Sequence, residues 1–586
     1  MPDAGGIGLY TNLNSTSDNF VADEAYASVL ADSYSDLLWS GIYANPGNDL
    51  ITRDRSGTYQ LGNHHETNFD FKIDGGAGFD TVSYSLAPTA LFADLLSGVG
   101  QIDDYGGENY QEDHYVSVEA IWATHYDDTI FGDHGYNVIK GLNGHDVIDG
   151  RGGVDYIEGG NGLDHILGGD GGDVIFGGNH NDAIWGEDGV DHINGDGGAD
   201  TIHGGSQGDV IDGGSGSDSI NGDGGSDVIF GGGDGDIING GWGNDTIDGG
   251  EGSDNIEGGW GNDVITVGHG DDVAYGGAGY DTFIIGAEWG DNWLHGGGKA
   301  DKVIFEGNQN LHVDLLNGFA LRDGGYDTLI SIRNIETEGG SDTVFGTSGR
   351  NVIKTGDGAD YVYTIGGDDL VDTATGSDVV VGYGGSETIN AGAGHDYVAG
   401  HGGDDEIDGG YHNDELYGGA GDDTIEGGRG YDTIDGGDGD DSIEGGWHAD
   451  IIRGGAGFDA MSGGAGADTF LWEVGDHHLF GDTISDFSGS KDFLAFGEGF
   501  FGVGDVDLSD VLTAHDGWGG TVLMADSAET GWQLLAVITN AGQTAAIQQR
   551  IADGSIIDAE ASQAFAEAPD AFQFEQDLSA FDQFLF

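Results

Sequence analysis

Aspartate recurs every ninth residue over two long stretches of this chain. Steps of nine from Asp128 reach Asn137, Asp146, Asp155, Asp164, Asp173, Asp182, Asp191, Asp200, Asp209, Asp218, Asp227, Asp236, Asp245, Asp254, Asp263, Asp272 and Asp281 without an insertion. A second set runs through Asp342, Asn351, Asp360, Asp369, Asp378, Glu387, Asp396, Asp405, Asp414, Asp423, Asp432, Asp441, Asp450, Asp459 and Asp468. Two residues after each comes an apolar residue, Ile at nearly every unit from Ile130 to Ile265. Carboxylates flanked by glycine carbonyls are hard oxygen donors. Their natural partner is a hard divalent cation such as Ca2+, and with no cysteine in the chain thiolate sites are excluded.

The unit Gly240-Gly241-Trp242-Gly243-Asn244-Asp245-Thr246-Ile247-Asp248 shows what must position the carboxylates. Its glycines permit a tight turn and close approach of carbonyls to an ion. Its last three residues suit a short strand, with Ile247 on one face and its neighbours on the other. Two units then make one coil of eighteen residues, with two strands facing each other across an isoleucine core. Coils stack at roughly 4.8 Å, so the array over 123–284 predicts a rod of about 43 Å. Aspartates on successive turns of one edge lie close together and repel unless a cation sits between them. The whole chain has the same problem: 107 acidic against 15 basic residues give a net charge of -92. An acidic disordered chain is the competing expectation, but regular Ile and Val and 10% aromatics oppose it. The sign of the charge excludes nucleic acid as a partner.

The arrays, 123–284 and 337–471, resemble the RTX (hemolysin-type) calcium-binding nonapeptide repeat, G-G-x-G-x-D-x-U-x, of proteins secreted by type I systems. The resemblance implies Ca2+ bound between adjacent turns through the Asp carboxylate and backbone carbonyls. It also implies a chain that stays unfolded in the low-calcium cytosol, leaves by the type I secretion machinery and folds outside. The implied ligands are the Asp residues named above. Asn137, Asn351 and Glu387 depart from the pattern, as do the core residues Ala274 and Met461, and sites there are expected to be weak or absent. One ion per pair of neighbouring same-edge turns sets an upper bound of about 29 Ca2+.

Two lead-ins look alike. One runs from Gly75 to Asp80 through Ala93-Asp94-Leu95-Leu96, the other from Gly276 to Asp281 through Val313-Asp314-Leu315-Leu316. Each leads into an Asn-Val-Ile-Lys stretch, which reads as a duplication of lead-in plus array, and the lead-in is expected to cover an open strand edge. After the second array, residues 463–494 resemble the closing segment of RTX modules in secreted metalloproteases. The last residues, Phe581 to Phe586, resemble an uncleaved type I secretion signal. The expected fold is therefore all-β: two parallel β-rolls (β-solenoids) in series, with β-rich lead-in segments and a C-terminal cap. The divisions are 1–73 of unassigned fold, lead-in 74–122, first roll 123–284, spacer and lead-in 285–336, second roll 337–471, β cap 472–550 and signal region 551–586. Within 1–73, Asp23 to Trp39 has the apolar spacing of an amphipathic helix. The N-terminal MPDAGGIGLYTN lacks the features of a secretory signal peptide, and no apolar run is long enough for a membrane-spanning helix.

Catalytic patterns fail on inspection. His64-His65-Glu66 lacks the second His of a zinc-protease helix, and Gly204-Gly205-Ser206-Gln207-Gly208 matches a nucleophile elbow only by letter, since Ser206 sits in register inside the array. Trp242 and Trp260 fall eighteen apart at the third place of their units, with Trp447 at the same place in the second array, so a row of edge aromatics is expected. Phe176, Trp185 and Phe230 are expected to point outward. Such a row can bind sugars or a partner chain. The reading is a secreted, Ca2+-binding, non-enzymatic protein of a bacterial surface or extracellular matrix, structural or adhesive, with self-assembly or a cell-surface polymer as its partner. The alternatives are an enzyme with its site in 1–122 or 285–336, or a glycan-binding adhesin.

Overall fold

A computed structural model describes residues 71–103, 110–286, 290–322, 324–473, 476, 482–488 and 491–496. It also describes the strands Asn19–Ala22, Ser40–Tyr43, Leu50–Arg53, Leu512–Gly517, Gly520–Ser527, Gly531–Ile538 and Ile557–Asp558. The expected helix over 23–39, His64-His65-Glu66 and the terminal signal lie outside the described residues. All regular elements described are strands, and among the described residues no helix is long and apolar enough to cross a membrane. The chain divides into two compact units, 1–302 with 327–331, and 303–326 with 332–586.

Unit by unit, the strand takes the seventh to ninth places of one repeat and, in many coils, the first three of the next, as in Tyr156–Asn161. It pairs in parallel with the strand eighteen residues on: Tyr156 faces Val174, Ile157 faces Ile175 and Gly160 faces Gly178. Alternate repeats therefore build two parallel sheets. Side chains at the eighth place turn inward, and Ile157, Ile166, Ile175 and Ile184 are fully buried. Their core is two isoleucines thick, because each face of the coil contributes one residue. Gly243 shows why the turn needs glycine: its φ is 140°, and a Cβ there would fall on the carbonyl oxygen of Gly225 in the coil before.

In the first unit the lead-in joins the same register. Thr81–Ser83 pairs with Ala120–Trp122, which pairs with Val138–Asn143. Leu91–Asp94 pairs with Thr129–Phe131 and folds back antiparallel on Val99–Asp103. Nor does the stacking stop at 284. Trp293–Gly297 continues from Val273–Ala278, and residues 328–330 continue from it in turn. In the second unit His312–Asp314 forms the matching hairpin with Phe319–Arg322 and pairs with Thr343–Phe345. The duplication is thus repeated in backbone topology. At the far end Asp482–Ile484 pairs with Ala460–Ser462 and with Gly531–Ile538, and the latter belongs to an antiparallel meander with Gly520–Ser527 and Leu512–Gly517. Each unit is by itself an all-β parallel β-solenoid, with a hairpin in each and the meander in the second as antiparallel elements.

Two substitutions test this packing in calcium-loaded protein. Ile202→Ala empties a fully buried position and should cost about 2–5 kcal/mol. Gly243→Ala should cost about 2 kcal/mol or more, because the Gly225 carbonyl must move. Chemical denaturation followed by circular dichroism reads both; a cost near zero for either would contradict the coil geometry.

Candidate calcium-binding ladder

The sixth-place aspartates are buried throughout both arrays; Asp155, Asp227 and Asp441 are each 1% exposed. Their two carboxylate oxygens have different fates. Oδ1 accepts a hydrogen bond from the backbone N–H of the sixth-place residue one coil earlier: Asp146 N–H to Asp164 Oδ1 is 2.8 Å, Asp164 N–H to Asp182 Oδ1 2.7 Å and Asp360 N–H to Asp378 Oδ1 2.9 Å. Oδ2 is buried and has no hydrogen-bond partner at every sixth-place Asp from Asp146 to Asp281, and at those from Asp360 to Asp459. One orphaned carboxylate oxygen in a fold is a defect; an unbroken row of them has the donor chemistry of a candidate cation site.

The surroundings of Oδ2 fit a hard cation. From the point a Cβ would occupy on Gly150, Asp155 Oδ2 lies 2.7 Å away and the Gly168 carbonyl oxygen of the next coil 2.5 Å. From the same point on Gly240, Asp245 Oδ2 is at 2.5 Å and the Gly258 oxygen at 2.6 Å. A carboxylate and a carbonyl therefore converge over the glycine Cα where only glycine leaves room, and both are hard oxygen donors of the kind Ca2+ takes. Among the described residues no three His, Asp or Glu side chains gather into a ready-made cage; each turn offers one sixth-place carboxylate with a carbonyl of the next coil beside it.

Burial dominates the electrostatics and pushes these carboxyls up: Asp146, Asp182 and Asp414 to about 8, Asp155 and Asp209 to about 7. The amide bond from the preceding coil pulls each down, while the neighbouring Asp above and below push up again. Glu387 goes furthest, to about 9, because burial and the adjacent Asp405 both oppose its charge. Bound Ca2+ supplies the positive charge that lets all of them ionise together.

The ends of the ladder are built differently. Asp128 accepts from Leu91 N–H at 2.6 Å, Thr124 N–H at 2.7 Å and the Thr124 hydroxyl, so both its oxygens are engaged. Asp342 accepts from Leu311 N–H at 2.8 Å and from Thr337 Oγ1 at 2.6 Å. Asn137 and Asn351 turn their Oδ1 to Asp133 N–H and Thr347 N–H. Sequence spacing missed several members. Asp272 N–H donates to Asn292 Oδ1, Asp281 N–H to Asp301 Oδ1, and Asn292 N–H to Asp327 Oδ1, at steps of 20, 20 and 35 residues. Asp482 and Asp492 continue the second unit's rows at steps of 23 and 24 residues, and there Trp472 Nε1–H and Ser488 N–H engage the second oxygen. The signal for Asp301 was present in Gly296-Gly297 five residues before it; insertions had broken the count of nine.

On the coil edge Trp242 and Trp260 stack face to face, ring centroids 5.2 Å apart and 6° from parallel. They are 66% and 61% exposed. In the second unit Arg429 lies over both Tyr411 and Trp447, at 5.4 and 4.9 Å from the ring centroids. Phe230 is exposed, and Phe176 and Trp185 are half-buried on the outer faces of their sheets. Ser206 closes the strand Thr201–Ser206, and its Oγ donates to Asp188 on the coil before, in a lattice of edge hydrogen bonds.

A parallel solenoid whose coils bury a row of carboxylates beside backbone carbonyls defines a calcium-binding β-roll protein. The family model for the RTX calcium-binding nonapeptide repeat, in blocks of four copies, matches windows that together span 122–283 and 336–471. The chain belongs to that family, whose repeats bind Ca2+ at many sites and whose members are typically secreted. None of the curated proteins matches it.

The raised carboxyls fix the direction of a pH effect. Unfolded aspartate titrates near 3.9, so the metal-free fold holds more protons than the unfolded chain between about pH 4 and 8. In EGTA, β structure should be most stable below about pH 4, weaken as pH rises through about 7 and give an expanded chain by about pH 8; Ca2+ should restore it. Circular dichroism and small-angle scattering check this. An equally compact chain at pH 8 in EGTA would contradict it.

Proposed function

We propose that this is a secreted structural or adhesive protein of a bacterial surface or extracellular matrix, folding, and then assembling, when it meets calcium outside the cell. The observation that carries the reading is the long row of buried Asp Oδ2 atoms without protein partners. It makes the fold of most of the described chain conditional on Ca2+, and extracellular calcium modules work at 10⁻⁴–10⁻³ M. In this reading 123–284 and 337–471 act as two rolls, each opened by its lead-in. Residues 472–550 close the second, and 551–586 address the chain to the type I secretion machinery. The roll itself serves as scaffold rather than catalyst. Adding millimolar Ca2+ to purified protein and imaging it by electron microscopy tests assembly: ordered polymers are expected, and particles that stay single at high protein concentration would overturn it.

A second reading, glycan binding, is favoured by Trp242 and Trp260. Gly224 and Ala278 occupy the same place one coil before and one coil after the pair, so the outer ring faces are left uncovered. Polysaccharide should quench tryptophan fluorescence in the calcium form, and Trp242→Ala with Trp260→Ala should abolish most of the quenching. Unchanged quenching in that variant would remove this reading.

A further inference from the structure

The two turn edges of the second array carry opposite chemistry. Each turn presents the third to fifth residues of its repeat, and alternate repeats supply alternate edges. On one edge these places include Asp368, Asp404, Asp422, Asp438 and Asp440. On the other, the five coils from Ala393 to Ala467 hold no acidic residue at these places, although the chain carries 107 acidic against 15 basic residues. Tyr411, Arg429, Tyr431, Trp447 and three histidines stand there instead.

Backbone pairing holds the third-place residues of this edge in a straight row. Ala393 pairs with Tyr411, Tyr411 with Arg429, Arg429 with Trp447 and Trp447 with Ala465, each one coil on. Arg429 N–H donates to the Gly410 carbonyl and Trp447 N–H to that of Gly428, at 2.8 and 2.9 Å. The guanidinium therefore lies between two rings, 5.4 Å from the Tyr411 centroid and 4.9 Å from that of Trp447, within cation–π range of both. It has no hydrogen-bond or ion-pair partner among the described residues, and Glu426 and Glu444, which end the strands before these turns, do not reach it. Stacking occupies the two faces of the guanidinium and leaves its in-plane fork of N–H donors for a planar anion.

The rings are open as well. Ala393 and Ala465 leave the outer faces of Tyr411 and Trp447 bare, and both rings are exposed, as is Tyr431. His412 and His448 flank the row at a place where the coil between them has Gly430, with φ of 79° and 89°, a left-handed backbone that glycine adopts without strain. Each donates from Nδ1–H to the carbonyl before it, Tyr411 at 3.0 Å and Trp447 at 2.8 Å. The isoleucine core has no use for these side chains.

We propose that this edge, from Tyr411 to His448, binds an acidic polysaccharide: sugar rings lie on Tyr411 and Trp447, and a uronate carboxylate takes the fork of Arg429. A straight row that steps once per coil suits a polymer of repeating units, and turns free of acid admit an anion that the rest of the surface repels. The proposal deepens the adhesive reading, on which it rests, and concerns a different unit from Trp242 and Trp260.

Calorimetric titration of the full chain in millimolar Ca2+ with oligogalacturonides too short to gel tests it. Binding is expected, and it should weaken about tenfold or more in Arg429→Gln, in Trp447→Ala and with the carboxyl-reduced oligosaccharide. Both positions are exposed, and circular dichroism of the calcium form checks that each variant is folded. Absence of binding would overturn the proposal, as would equal affinity for the reduced sugar or in either variant. Tighter binding of poly-glutamate would make the partner an acidic peptide and overturn it too. If no sugar binds and Arg429→Gln instead disperses calcium-induced polymers, the edge is a contact between copies and the proposal falls. Trp242→Ala with Trp260→Ala should leave this binding unchanged, so the two sugar sites succeed or fail separately.

Discussion

Everything in this molecule depends on how one buried carboxylate is shared. Its Oδ1 is tied to the amide of the coil before, which locks the register of stacking, and its Oδ2 is left for a cation. The protein-only fold is therefore incomplete by design of its sequence. An apolar core two isoleucines thick cannot by itself offset a row of desolvated charges spaced one coil apart. Metal binding and coil stacking are physically linked, because a site made of donors from neighbouring coils is complete only when those coils are stacked.

The same geometry explains why so little variation is tolerated inside a repeat and so much outside it. The first-place glycine, the aspartate and the core isoleucine meet at one point, so a change in one demands a change in another. Val267 with Ala274 and Thr355 with Val362 are the permitted exchanges. The third and fifth places face solvent and carry tryptophan, asparagine, histidine or glycine freely. There the Asn143, Asn161 and Asn179 side chains run a hydrogen-bonded ladder along one edge, and Trp242 and Trp260 a stacked pair on the other. Binding properties of the surface can thus change without disturbing the calcium rows beneath it.

The period of nine, its aspartates and its isoleucines were legible because a strict repeat writes the same local environment into every coil. The lead-in strands, the continuation through Asn292, Asp301 and Asp327, and the closing Asp482 and Asp492 were not counted. Their spacing of 20, 35, 23 and 24 residues hides equivalent positions behind inserted loops. Equivalence there is a matter of which amide reaches which carboxylate, and that is fixed in space rather than along the chain.

The sequence alone therefore determined the family, the parallel coil, the buried isoleucine face and the row of sixth-place carboxylates. These follow from local chemistry repeated at a fixed interval. Only the tertiary structure decided which carboxylates keep an oxygen free. Asp128 and Asp146 read identically as letters, yet Leu91 and Thr124 engage both oxygens of the first, while the second keeps Oδ2 bare. The difference is made by residues brought alongside by folding, and a hydrogen bond from a distant amide or hydroxyl leaves no mark on the spacing of the aspartates themselves.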